Sequence, residues 1–254
     1  MARADGRTVN KAWRQTAKTG AVLLFWLTAW YLLAAIVDRE LLLPGPVAVW
    51  NSFCRLIVSD KFWLTALGSL ARILLGFSLG MAGGLLLALV MYASPWVGAL
   101  LSPLVKAVRA APVASFIILA LVWISTERLP VFISFLMVLP VAWANTLSGI
   151  RATDRQLLEM ARSYSFGPMR TLRRIYLPSL RPYLLAAATT GLGLAWKSGV
   201  TAEVIANPRF AIGAELNAAK VTLEMPDMFV WTFVVVALSL LLEALLHKAV
   251  GGRK

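Results

Sequence analysis

Long apolar runs, separated by short charged or proline-bearing stretches, organise this chain. The first extends from Gly20 to Val37, 18 residues without a charge, and as a helix it reaches about 27 Å, enough to cross a bilayer core. Arg3, Arg7, Lys11, Arg14 and Lys18 precede it. The run exceeds the apolar core of a secretory signal, and no small-x-small cleavage pattern follows before Asp38-Arg39-Glu40, so it reads as a retained first helix. A second run covers about Leu67 to Tyr92, and a third, Pro112 to Ile124, has only 13 residues. At about 20 Å the third is too short for a hydrocarbon core of roughly 30 Å. It is expected to be broken, or to borrow length from the proline-marked stretch Ser94 to Arg109. Such backbone belongs against protein or a water-filled path, because bare peptide groups cannot face lipid. Further spans are predicted over Pro130 to Ile150, Tyr183 to Ala202 and Met228 to Val250. The expectation is an all-α integral membrane protein of about six transmembrane helices with both termini on one side. It divides into a tail over 1–19, a first helix over 20–37 and a core over 38–254.

Composition agrees with the pattern: 59% of the 254 residues are hydrophobic and 15% charged, and the mean hydropathy is +0.75, too apolar for a wet surface. One cysteine, Cys54, and one histidine, His247, argue against disulfides, thiolate clusters and a histidine metal centre; no metal or cofactor is expected. The net charge of +13 would suggest nucleic acid in a soluble protein, so its distribution decides. Lys and Arg cluster before the first span, at Lys106 and Arg109, at seven positions from Arg151 to Arg181, and at Lys248, Arg253 and Lys254. The other segments hold nearly balanced charge, including Asp38, Glu40, Asp60, Glu127, Glu203, Glu215, Glu224 and Asp227. By the positive-inside rule the termini and the 151–182 connection are cytoplasmic. Topology accounts for the charge, and no nucleic-acid partner is needed.

That connection reads RATDRQLLEMARSYSFGPMRTLRRIYLPSLRP. Leu157, Leu158, Ala161 and Tyr164 recur at helical spacing, with Arg155, Glu159 and Arg162 between them. Gly167-Pro168 starts a second element in which Met169, Leu172, Ile175 and Tyr176 share one face, and Pro178 is expected to stop it. Basic amphipathic helices of this kind lie on lipid headgroups or dock a partner. Glu159-Met160-Ala161, a three-residue spacer, Ser165, nine residues, then Ile175-x-Leu177-Pro178 resembles the cytoplasmic motif of ABC importer permeases: Glu-Ala-Ala, three residues, Gly, nine residues, Ile-x-Leu-Pro. Met160 replaces an alanine and Ser165 the glycine, with Gly167 two positions later. Leu43-Pro44-Gly45-Pro46, Ala111-Pro112-Val113-Ala114 and Gly191-Leu-Gly-Leu-Ala-Trp-Lys197 are similar to segments of the nitrate, sulfonate and taurine importer group, so the resemblance spans roughly residues 40 to 250. It implies the type I importer permease fold, a second permease copy, a cytoplasmic ABC ATPase dimer and an extracytoplasmic solute-binding protein, in a bacterial inner membrane. It also implies that Glu159, Ala161, Gly167, Ile175, Leu177 and Pro178 contact the ATPase.

The chain brings no ATPase of its own. Gly191 to Ser198 superficially resembles a phosphate loop, but Trp196 stands where a glycine must let the backbone wrap phosphate, and no strand precedes it. No acid/base pair or nucleophile relay replaces it. Charges inside a span are costly and face a cavity or a partner. Lys197, with Trp196, is therefore the leading translocation-pathway candidate. Glu203 is open between a pathway role and snorkelling at a span end, and Arg72 reads as an interfacial anchor. Gly76, Gly80 and Gly84 form a smooth packing stripe, and Trp26, Trp30, Trp63, Trp96, Trp123 and Trp231 an interfacial belt. The competing function is an ion-coupled secondary carrier, for which Lys197, Glu203 and Glu243 would be the coupling charges.

Overall fold

A computed structural model describes residues 5–251, with side-chain surroundings for residues 20–249. The outermost positions of the tail over 1–19, with Arg253 and Lys254, lie outside the described residues. Eleven helices follow in order: α1 (Asp5–Val37), α2 (Pro46–Ile57), α3 (Asp60–Ala93), α4 (Pro95–Ala110), α5 (Val113–Ala120), α6 (Leu129–Arg151), α7 (Arg155–Ser163), α8 (Pro168–Thr171), α9 (Leu177–Ala206), α10 (Ile212–Val221) and α11 (Met225–Gly251). A π-helical turn, Leu172–Tyr176, joins α8 to α9.

Among the described residues, four helices have the length and hydropathy to cross a membrane: α1 over Gly20–Val37, α3, α6 and α11 over Met225–Ala249. The expected short third span is α4 and α5 together, bent by 104°. The cause is local. Pro112 pushes Ala111 out of helical conformation, to φ −79° and ψ 145°, and supplies no N–H to continue a ladder. The remaining expected span, α9, is long enough at 30 residues but poorer in large apolar side chains, because its small residues meet protein. Gly191, Ala195, Ser198, Gly199 and Ala202 on it are all buried.

The core forms where α3, α6 and α9 meet. A Cβ on Gly80 would lie 2.7 Å from Val138 Cβ, and one on Gly84 2.5 Å from Ala142 Cβ, while Gly76 faces the Val131 carbonyl and Ser134. The paired numbers rise together, so α3 and α6 run parallel. Gly199 faces Ser134 while Gly149 faces Leu180 and Tyr183, so α9 runs antiparallel to both. Two parallel neighbours require a return segment, and α4 with α5 provides it. Ile117 and Ala120 of α5 cluster with Leu129, Ile133, Ala202 and Ala206.

The aromatic belt needs one correction. Trp26, Trp63, Trp96 and Trp123 are exposed, but Trp231 is 3% exposed and stacks on Phe62 with ring centroids 5.0 Å apart. Its position near a span end coincides with the place where α11 covers α3. Leu43-Pro44-Gly45-Pro46 also acquires a local reason: Gly45 caps α2, Pro46 opens it, and the Pro44 carbonyl accepts from Trp30 Nε1 at 3.1 Å. The α1 span is otherwise unburied.

Replacing Gly80 by leucine would push a branched side chain into Val138 and the Phe135 carbonyl. Overpacking costs about 1–3 kcal/mol or more, and Gly80→Leu is expected to lower the thermal unfolding midpoint in detergent. Gly193→Ala, whose Cβ meets nothing within 4 Å, is the matched control and should not lower it.

Candidate coupling surface and transmembrane site

The connection over 151–182 is built from two helices and a specific stop between them. Asp154 caps α7 by accepting from the Gln156 N–H at 2.8 Å. At the other end Ser165 N donates to the Arg162 carbonyl at 3.0 Å and Phe166 N to the Ala161 carbonyl at 2.8 Å. This pair of bonds is a Schellman stop, whose C′ residue must be left-handed. Ser165 is that residue, with φ +51°. The motif glycine therefore has a physical role at 165, which serine fills at a conformational cost. Gly167 does not take it over: its φ is −64° and it caps α8.

Glu159 is exposed, as are Gly167 and Pro178, and Leu177 is 49% exposed. Ala161 and Ile175 turn inward, at 3% and 5%. The expected apolar faces are only partly covered: Leu157, Tyr164, Met169 and Leu172 remain exposed among the arginines, as does Met160 beside them. Among the described residues none of the seven arginines from Arg151 to Arg181 forms an ion pair.

Pro178 does not stop the second element. The Leu177 N–H donates to the Leu172 carbonyl, five residues back, so the ladder is already shifted where Pro178 enters, and that proline sits in the first turn of α9. Proline is tolerated there because a first-turn N–H has no obligatory partner. The helical path from Pro168 to Ala206 is continuous.

Higher on α9, Lys197 is exposed beside a cavity of about 190 Å³ between α9 and α11. Trp196 borders it but is 2% exposed, with Nε1 donating to the Val235 carbonyl at 3.0 Å. Glu203, one and a half turns on, is fully buried and does not snorkel. Its Oε2 accepts from Ser69 Oγ at 2.7 Å and from the Gly213 N–H at 3.2 Å. Its Oε1 lies 3.7 Å from Arg72 Nη1. Arg72 donates in addition to the carbonyls of Phe210 at 2.9 Å and Arg209 at 2.5 Å, and to Glu127 at 3.1 Å. It is a cross-brace between α3, α9 and the loop after α9, rather than an interfacial anchor. Arg55–Asp227 at 2.5 Å and Lys61–Glu215 at 2.7 Å pair further charges at this end.

Residues 80–249 match the model of the family described as binding-protein-dependent transport system inner membrane component. The chain belongs to this family. It is 30% identical to a probable ABC transporter permease protein of Brucella melitensis over 87% of this chain and 89% of that one. It is 33% identical to a putative aliphatic sulfonates transport permease protein of Escherichia coli, over 65% and 63%. With the taurine transport system permease protein of Escherichia coli the identity is 24%, over 91% and 86%. Among solved structures, a bacterial ABC transporter involved in import of the acidic polysaccharide alginate shares the fold, with a TM-score of 0.65, 15% identity and 98% coverage of both chains. This chain is thus a multi-pass inner-membrane permease component of a binding-protein-dependent ABC importer.

Several side chains that shape the permease have no local sequence signature. Ser69 and Gly213 hold Glu203 from positions 134 and 10 residues away, and Glu127 meets Arg72 across 55 residues. The signal available in the sequence is that Arg72 and Glu203 are opposite charges within apolar runs, which must find partners.

Two predictions follow from this geometry. Arg72→Ala strands a buried carboxylate and is expected to cost about 3–5 kcal/mol, read as a lower unfolding midpoint; Glu203→Gln in the same chain should recover part of the loss. An unchanged midpoint for Arg72→Ala would show that Glu203 is not held by Arg72. Ser165→Gly removes a left-handed penalty of about 1 kcal/mol and should raise the midpoint, whereas Ser165→Val should lower it.

Proposed function

We propose that this permease carries a small solute, such as nitrate, a sulfonate, taurine or a similar anionic or heterocyclic compound, by alternating access. A separate ABC ATPase dimer drives it through residues 155–178, a solute-binding protein delivers the solute, and two copies of the permease enclose the path. Both termini are cytoplasmic in this reading. That orientation is supported by the unpaired arginines at the α7–α8 end and the paired charges at the other.

The observation that carries the proposal is the unbroken helix from Pro168 to Ala206. Glu159, Gly167, Leu177 and Pro178 belong to a surface, backed by the buried Ala161 and Ile175, whose second half is continuous with the helix bearing Trp196, Lys197 and Glu203. A displacement imposed by ATPase closure at α8 need not cross a loop to reach Lys197. The shifted hydrogen bonds of the π turn supply a place where that helix can rotate. Lys197 lines the path, Trp196 fixes its backbone, and Glu203 with Arg72 holds the outer end of the helix. A lysine on the surface of a span faces a partner or water rather than lipid.

Tagged permease, purified from its native membrane in mild detergent, should bring with it an ATPase carrying Walker sequences and an exported binding protein, both identified by mass spectrometry. Recovery of the permease alone, with transport demonstrated, would overturn the coupling assignment in favour of an ion-coupled carrier. Glu159→Lys should abolish uptake while the assembled complex still hydrolyses ATP. Lys197→Ala should lower uptake about tenfold, the scale of one lost charge-assisted contact, with ATPase association intact.

A further inference from the structure

Lys197 shares its cavity with a charge of the opposite sign. The space between α9 and α11 is bordered by Thr189, Gly193, Trp196, Lys197, Ser239 and Glu243. Lys197 is the one charged residue of α9 between Arg181 and Glu203, and Glu243 the one acidic residue of α11 after Asp227. Both are exposed on this chain. A charge placed on a helix near the bilayer centre costs about 2.5–3.5 kcal/mol on an insertion scale, so two in one apolar bundle call for a common purpose. They do not neutralise each other directly: no ion pair within 4.0 Å joins them. The hydroxyls of Thr189 and Ser239 bring polar groups to the same space.

Gly193 is the second, independent observation. On the same helix Gly191 would place a Cβ 3.3 Å from Val138, and Gly199 one 2.6 Å from Ile73, so packing explains both. A Cβ on Gly193 meets nothing within 4 Å. Glycine inside a helix costs roughly 0.5–1 kcal/mol relative to alanine, and no contact within this chain requires it here. What its missing side chain does is keep the cavity open, one helical turn before Lys197.

We propose that this cavity is a subsite for a small zwitterion, with Lys197 receiving the anionic end and Glu243 the cationic end. The assignment rests on the reading of Lys197 as a pathway residue and narrows the solute class that follows from it. A simple anion drawn to Lys197 must also enter the field of the Glu243 carboxylate, and a simple cation meets the converse repulsion. A solute carrying both charges satisfies both walls and replaces the water they would otherwise hold. The space between the two helices is small, about 190 Å³, which suits a short amino acid.

The test is equilibrium binding of radiolabelled 3-aminopropanoate to the full-length permease in lipid nanodiscs without ATPase, with propanoate and propylamine as competitors. Saturable binding is expected, with each single-charge competitor weaker by about tenfold or more, one charge-assisted contact each. Lys197→Met should remove the preference over propylamine, and Glu243→Gln the preference over propanoate. Gly193→Leu should abolish binding while the unfolding midpoint stays at or above that of the parent. Absence of saturable binding, equal competition by propanoate, or unaltered binding to Gly193→Leu would overturn the proposal. Because the assay contains no ATPase, its outcome is separate from the co-purification that tests the importer reading, and failure of one leaves the other to be read on its own.

Discussion

The close approach of α3 to α6 is the constraint on which the rest of this permease depends. Lipid gives no hydrophobic drive for two apolar helices to associate, so contact must come from packing and from polar groups satisfied across the interface. Gly76, Gly80 and Gly84 remove the side chains that would hold the helices apart, and Val138 and Ala142 fill the space. Once α3 and α6 lie parallel, the chain between them has to travel back. The break at Ala111-Pro112 is the form that return takes. The groove left along the pair accepts α9, whose small residues reach it and whose backbone is tied to α6 by the Ser134 hydroxyl on the Ala195 carbonyl, 3.1 Å away.

With α9 in that position, its two ends meet different environments. One continues through the π turn into α8 and the exposed arginine surface. The other is clamped by Glu203, whose carboxylate faces Arg72 and receives the N–H of Gly213 at the start of α10. A helix N-terminus and a guanidinium both favour a negative charge, which is why the carboxylate can lie fully buried. Removing Arg72 leaves Glu203 as an uncompensated buried charge, whereas Arg72 without Glu203 keeps Glu127. Under the proposed coupling, motion delivered at α8 would act on a helix held at its far end, with Lys197 between the two. In the proposed mechanism this arrangement makes the middle of α9, rather than its ends, the part whose surroundings change.

Periodicity and charge arithmetic determined much by themselves: an all-α membrane protein, the spans at α1, α3, α6 and α11, the shortness of the third span, the short amphipathic elements between Arg151 and Pro182, and Lys197 as a charge needing explanation. These are legible because each depends on neighbours in the chain, on the length of an apolar run or on the cost of a charge in it. The tertiary structure decided the rest. Ser165, not Gly167, occupies the left-handed stop, because the Schellman bonds to Ala161 and Arg162 fix that position. Pro178 continues a helix because the π turn has already displaced the donor it lacks. Trp231 is core because α11 covers α3 there. Glu203 is a buried brace, and Glu243 a neighbour of Lys197, because helices distant in sequence bring them to one place. A single sequence carries the charge and apolarity of each position, but the partner of each charge is set by which helices pack together.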